Sequence, residues 1–176
     1  MGAFYANVMV LDSDLSAVAA VCDRPAFLAG DAGVAVVFTE ADDEGGGDLL
    51  KGTLSRSLRA VTLSVVVHDS DLLAFFVHRD GELVVQGCVP DPDEYFGSET
   101  SDGPHMVRGA ELVSILGRGD PVALDVALSS DVAFAEDRHK ALLTALGLPT
   151  WAVGFGYRYL KADGGTFDGP TPIQLD

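Results

Sequence analysis

The most constraining feature of this chain is a change of hydrophobic period, repeated through its first 67 residues. Phe4 to Leu11 is extended and rich in β-formers. Leu15, Val18, Val21 and Cys22 then recur at helical spacing behind the N-cap oxygens of Asp12, Ser13 and Asp14. Pro25 closes that helix, because the residue before a proline avoids the helical region. Ala26 to Ala29 and Val34 to Thr39 read as two strands around the turn Gly30-Asp31-Ala32-Gly33. Leu50, Leu54 and Leu58 mark the buried face of a second helix, with Asp48 placed to cap it. Val61 to Val67 closes the run by strict alternation, with Val61, Leu63, Val65 and Val67 on one side and Thr62 and Ser64 on the other. The resulting β-α-β-β-α-β order predicts a ferredoxin-like split βαβ sheet with two helices on one face.

The sequence then continues as a meander. Leu72 to His78 and Glu82 to Cys88 flank Asp80-Gly81, a pair able to supply the two positive φ angles of a type I′ hairpin and to set Arg79 opposite Glu82. Pro90 to Pro104 reads as a long acidic loop. Pro104 is placed at the start of a helix that Gly117 and Gly119 end, and Asp120-Pro121 opens another. Asp131 is expected to cap a longer helix that Gly147 and Pro149 stop. From Trp151 to Leu160, large residues alternate with small ones, which predicts a last strand with a nearly flat second face. The expected fold class is therefore α+β. A ferredoxin-like βαββαβ portion is extended by a hairpin, and a helical C-terminal part returns a final strand to the same mixed, mostly antiparallel sheet, with helices on one face. Residues 1–160 read as one domain, and residues 161–176, rich in Gly, Pro and Asp, as a loose tail.

Charge narrows the function classes. Against 27 acidic side chains there are 11 basic ones, a formal net charge of -16. Such a field repels nucleic-acid phosphates and anionic lipid heads, so neither nucleic acid nor membrane is an expected partner. No apolar stretch approaches the roughly 20 residues that span a bilayer. The start lacks a basic region of the secretory kind, so the expected location is cytoplasmic. Cys22 and Cys88 read as small buried hydrophobes of a reducing compartment, with no zinc-binding spacing.

No phosphate-binding loop, dinucleotide fingerprint, nucleophile elbow or HExxH helix occurs, and no cofactor is expected. Two clusters carry functional groups. His68-Asp69-Ser70-Asp71 puts an imidazole, two carboxylates and a hydroxyl at a strand end, and His68, Asp69 and Asp71 are the candidate metal ligands. The same residues suit an ordinary turn, because Asp and Ser bond their own backbone. In the long loop, Asp91, Asp93 and Glu94 are candidates for an interaction surface. Asp91 to Phe96 begins like a calcium loop but lacks the sixth-position glycine. His78 reads as a half-exposed strand residue, His105 as an exposed residue at a helix start, and His139 as a border residue of its helix. Lys51, Arg56 and Arg59 read as a solvated basic face.

Several stretches carry a resemblance. They are Phe4-Tyr5-Ala6-Asn7, His68-Asp69-Ser70-Asp71-Leu72, Asp80-Gly81-Glu82-Leu83-Val84, Phe134-Ala135-Glu136-Asp137-Arg138-His139, and Gly147 to Gly154 leading into Gly156-Tyr157-Arg158-Tyr159. In these the chain resembles uncharacterised bacterial α/β proteins of high-GC genomes. The resemblance implies a single domain and transfers no activity, cofactor or site.

Three functions follow as expectations. The first is a non-catalytic acidic interaction protein with a basic protein partner, such as an inhibitor or immunity-like factor. The second is a small metal-binding protein or enzyme using the His/Asp cluster, with Asp91 and Asp93 arriving from the loop. The third is a structural homodimer built through the last strand or a sheet edge.

Overall fold

The computed structural model describes residues 2–43, 48–97, 107–162 and 167–176. Its centre is one seven-stranded sheet. The strands are β1 (Tyr5–Leu11), β2 (Ala26–Asp31), β3 (Val34–Thr39), β4 (Thr62–His68), β5 (Leu72–Arg79), β6 (Glu82–Val89) and β7 (Ile173–Leu175). Their spatial order is β6-β5-β4-β1-β3-β2-β7, and every neighbouring pair is antiparallel. The expected mixed sheet is thus corrected to an antiparallel one. Hairpins set their strands antiparallel directly, whereas the helical connections from β1 to β2 and from β3 to β4 return the chain in the same sense but one strand removed, across β3 and β1.

Helices cover both faces, not one. α1 (Leu15–Val21) and α3 (Asp48–Leu58) lie on the face that carries Val8, Val10, Leu28, Ala35 and Val37, and Val18, Leu50 and Leu54 dip into it. On the opposite face Tyr5, Met9, Val36, Phe38, Leu63, Val65 and Phe75 meet the C-terminal helices. These are α5 (Gly109–Leu116), α6 (Pro121–Ser129), α7 (Ala135–Leu146) and the short α8 (Tyr157–Lys161). Two one-turn helices, α2 (Glu40–Asp43) and α4 (Pro92–Phe96), sit at strand ends. Both faces are therefore dry, and β1 and β3 are buried at every position. The alternation in β4 is real, but its polar side faces α3 instead of water: the Thr62 hydroxyl donates to the Lys51 carbonyl at 3.4 Å, and Ser64 is fully buried.

That second layer overturns two further expectations. Lys51 is 4 % exposed, with its ammonium 4.9 Å from the Phe76 ring centroid, so the basic face of α3 is not wholly solvated. His78 is buried beneath α3, near Gly52. The hairpin follows its reading: Asp80 and Gly81 have φ of 53° and 86°, and Arg79 pairs with Glu82.

The C-terminal part departs most. Trp151–Leu160 is not a strand. It forms a 3₁₀ turn (Thr150–Ala152), a bend at Gly154 with φ 83°, and then α8. Size alternation without a neighbouring strand leaves each aromatic to find its own partner. Trp151 and Phe155 each make a T-shaped contact with Phe167, at centroid distances of 5.5 and 5.0 Å, and Tyr157 meets Phe27 at 5.3 Å. The last strand is β7 instead, which lies in the segment expected to be a loose tail and pairs with β2 through Ile173, Gln174 and Leu175. α7 begins at Ala135, with Phe134 in the cap position in place of Asp131.

Candidate functional site

One end of the sheet gathers both sequence-derived clusters. β1 begins where β4 ends, with Tyr5 paired to Val67, and the β4–β5 turn lies beside them. In that turn Asp69 and Ser70 have φ of 51° and 60°, and the Asp71 amide donates to the His68 carbonyl at 3.1 Å, so the turn is type I′. Short polar side chains tolerate this left-handed geometry better than most. Their functional groups are already engaged. The Gly2 amide donates to Asp69 Oδ1 at 2.7 Å and the Ala3 amide to Ser70 Oγ at 2.7 Å. The Ser70 hydroxyl donates to Glu136 Oε1 at 2.8 Å, and the Ser70 carbonyl accepts from the Ala135 amide at 2.7 Å. The turn therefore clamps the N-terminal segment and the start of α7 together. Among the described residues no group of three or more His, Cys, Asp or Glu side chains is placed to hold a metal ion, so His68, Asp69 and Asp71 do not form such a centre.

His68 instead sits among aromatic rings. Phe4 meets it edge-on at a centroid distance of 4.4 Å, Phe96 at 5.8 Å and Tyr95 at 5.9 Å, and Tyr95 and Phe96 touch each other at 4.8 Å. His68 Nδ1 lies 3.3 Å from the Tyr95 hydroxyl. The one-turn α4 delivers both rings. Asp91 caps it by accepting from the Asp93 amide, Pro92 occupies its first turn, and Gly97 ends it with φ 68°. The helix that carries Asp91, Asp93 and Glu94 thereby comes to the same end of the sheet as Asp69 and Asp71. Desolvation, then the Asp71 and Asp69 carboxylates, hold the Tyr95 hydroxyl above its ordinary value. Phe4 and Phe96 are 45 % and 52 % exposed, and Phe134, next to the Ala135 amide bound by the turn, is exposed too. The arrangement is a partly exposed aromatic cluster between an acidic turn and an acidic one-turn helix. Sequence reading found the acids but not the rings; the adjacent Tyr95-Phe96 pair in a polar, acidic stretch was the available signal.

The other histidines do not join this end as reactive groups. His139 is fully buried, and its Nδ1 lies 2.9 Å from the buried Tyr5 hydroxyl, so it is an interior residue and not a border one. Burial pushes the His139 imidazole down to about 3 and raises the Tyr5 hydroxyl, where the nearby Glu136 adds in the same direction. A neutral pair sealed from solvent has no route to exchange protons with substrate or bulk water. The Cys88 thiol is buried and pushed up to about 11 by that burial, with Asp91 adding, which leaves it an unreactive thiol. His105 lies outside the described residues. Compared with protein-family models, curated proteins and solved structures, the chain matches none.

Proposed function

We propose that this chain is a non-catalytic acidic interaction protein that docks a basic segment of another protein on the aromatic end of its sheet. The observation that carries the reading is the convergence of Phe4, Tyr95 and Phe96 around His68, beside the acidic turn of Asp69 and Asp71 and on the acidic helix that carries Asp91, Asp93 and Glu94. Exposed rings offer apolar contact, and their faces attract a guanidinium or ammonium by about 0.5–2 kcal/mol. The carboxylates supply the long-range field that speeds encounter with a cationic partner. Covering a basic face of another protein in this way would make the chain an inhibitor or immunity-like factor. The scaffold reading that goes with it is ferredoxin-like. It is supported by the order β4-β1-β3-β2 with antiparallel neighbours, and by α1 and α3 sharing one face.

The test is fluorescence anisotropy of a short arginine-rich peptide titrated with the protein at low and high salt. Binding is expected to weaken as salt rises from about 0.05 to about 0.5 M. Asp71→Asn/Glu94→Gln and Phe96→Ala should each weaken it, whereas Asp23→Asn/Asp31→Asn, which removes the same charge elsewhere, should change it little. Equal weakening by the two charge pairs, or no binding at low salt, would refute the site.

A further inference from the structure

A concavity lies on the face covered by the C-terminal helices. Gly87 of β6 lies under the Phe75 ring, where a Cβ would stand 2.1 Å from Phe75 Cζ. The tip of the ring therefore lies over the outer strand and lines the space above it. α6 packs on α5 and α7, and a cavity of about 410 Å³ remains between α5, α6 and that ring. Small-molecule pockets fall in the range of about 300–1,000 Å³, with apolar walls and few polar groups. Here Val89, Val107 and Leu128 complete the apolar wall with Phe75. Of the three polar side chains in the lining, Asp125 and Ser129 each bond to the chain through one oxygen. Asp125 Oδ1 accepts from the Gly109 amide at 2.6 Å, tying α5 to α6, and Ser129 Oγ donates to the Asp125 carbonyl at 2.7 Å. Arg108, at the rim, has no ion pair or side-chain hydrogen bond among the described residues, although carboxylates outnumber cations in this chain by 27 to 11.

We infer that this cavity binds a small monocarboxylate with an aromatic or branched apolar body, whose acid group pairs with the Arg108 guanidinium and whose body lies on Phe75 and Leu128. A guanidinium matches a carboxylate in two parallel hydrogen bonds, and the apolar wall excludes a fully polar anion. The inference stands apart from the docking of a basic segment, and salt separates the two. The net field of -16 opposes an approaching anion, so screening should strengthen this binding or leave it unchanged, where it weakens the peptide's.

The experiment is ligand-observed NMR and calorimetry with phenylbutyrate and its uncharged amide. The carboxylate should bind, and the amide should bind about tenfold more weakly, the cost of losing a charge-assisted contact. Arg108→Gln, an exposed change not expected to disturb folding, should weaken phenylbutyrate by about the same factor. Leu128→Trp should abolish binding by filling the space, its folding checked by thermal melting. Equal affinity for acid and amide, indifference to Arg108→Gln, or no binding at concentrations on the order of 10 mM would overturn the assignment.

Discussion

At the scale of single residues, the most consequential pair is Tyr5 and His139. Both are buried against the same face of the sheet, their rings near parallel at 5.8 Å, and the hydroxyl is the imidazole's one hydrogen-bond partner, since Nε2 has none among the described residues. Replacing Tyr5 with Phe should cost about 1–2 kcal/mol in urea unfolding, because it strands a second buried polar atom. The pH dependence follows from the imidazole. Its folded value, about 3, lies below the unfolded one, so between those values the unfolded chain binds the extra proton and stability falls as the pH drops. Asp42 and Asp43, both pushed up by burial, act in the opposite sense: their contribution is complete below the ordinary carboxylate range and is lost as pH rises through their raised values. Comparison with His139→Leu isolates the histidine, since that variant keeps both aspartates. From pH 6.5 down to pH 5 the parent should lose about 1.6 kcal/mol more than the variant. Equal losses would mean that the imidazole is reachable by protons in the folded state. A second residue prediction concerns Gly87. Alanine there must displace the Phe75 ring, at a cost of about 1–3 kcal/mol, and Phe75→Leu in the same chain should recover part of the melting temperature.

At the scale of elements, Phe167 is the link that holds the chain's last segment to the body. It meets Trp151, Phe155 and Phe38, and β7 follows it onto the edge of β2. Phe167→Ala should lower stability by about 1–3 kcal/mol and shift the emission of Trp151, the chain's single tryptophan, to the red. Unchanged emission would show that the indole is shielded without it. This element was illegible in the sequence because its strand is three residues long and its order comes from aromatic contacts made elsewhere. The β-α-β-β-α-β run, the Asp80-Gly81 hairpin and the Asp120-Pro121 helix start were legible because their signals are local: period, left-handed φ and a cap whose oxygen accepts from the Val122 and Ala123 amides. Where a distant group satisfies a helix end, local reading fails. The Ser70 carbonyl takes the Ala135 amide, so α7 starts without a cap of its own, and Asp43 takes the Arg158 amide at 2.9 Å, so a helix stands where alternation pointed to a strand. The candidate site divides the same way. Its two acidic clusters were readable as sequence, but their meeting depends on α4 folding Tyr95 and Phe96 back over His68, which no local spacing encodes.

At the scale of the whole molecule, a single antiparallel sheet covered on both faces carries a large surplus of one charge. Exposed ion pairs do little to offset it. Arg56–Glu82 at 3.6 Å and Lys161–Glu40 at 3.9 Å are open to water, where such pairs contribute about 0–1 kcal/mol. Arg118–Asp12, at 3.0 Å, ties the end of α5 to the end of β1 but engages only one of the 27 acids. Self-repulsion of a net charge of -16 is spread over the compact state and relaxes on unfolding, so it destabilises the fold in a way that salt screens. Two opposing salt effects are therefore in play, loss of ion-pair attraction and relief of repulsion, and the charge count decides for relief. The melting temperature should rise by a few degrees between about 0.02 and about 0.5 M sodium chloride, read by calorimetry on the isolated chain. Over the same range the arginine-rich peptide should release, so stability and binding should move in opposite directions. A melting temperature that falls with salt would mean that the acids are balanced by local cations after all, and the electrostatic basis for a basic partner would fall with it.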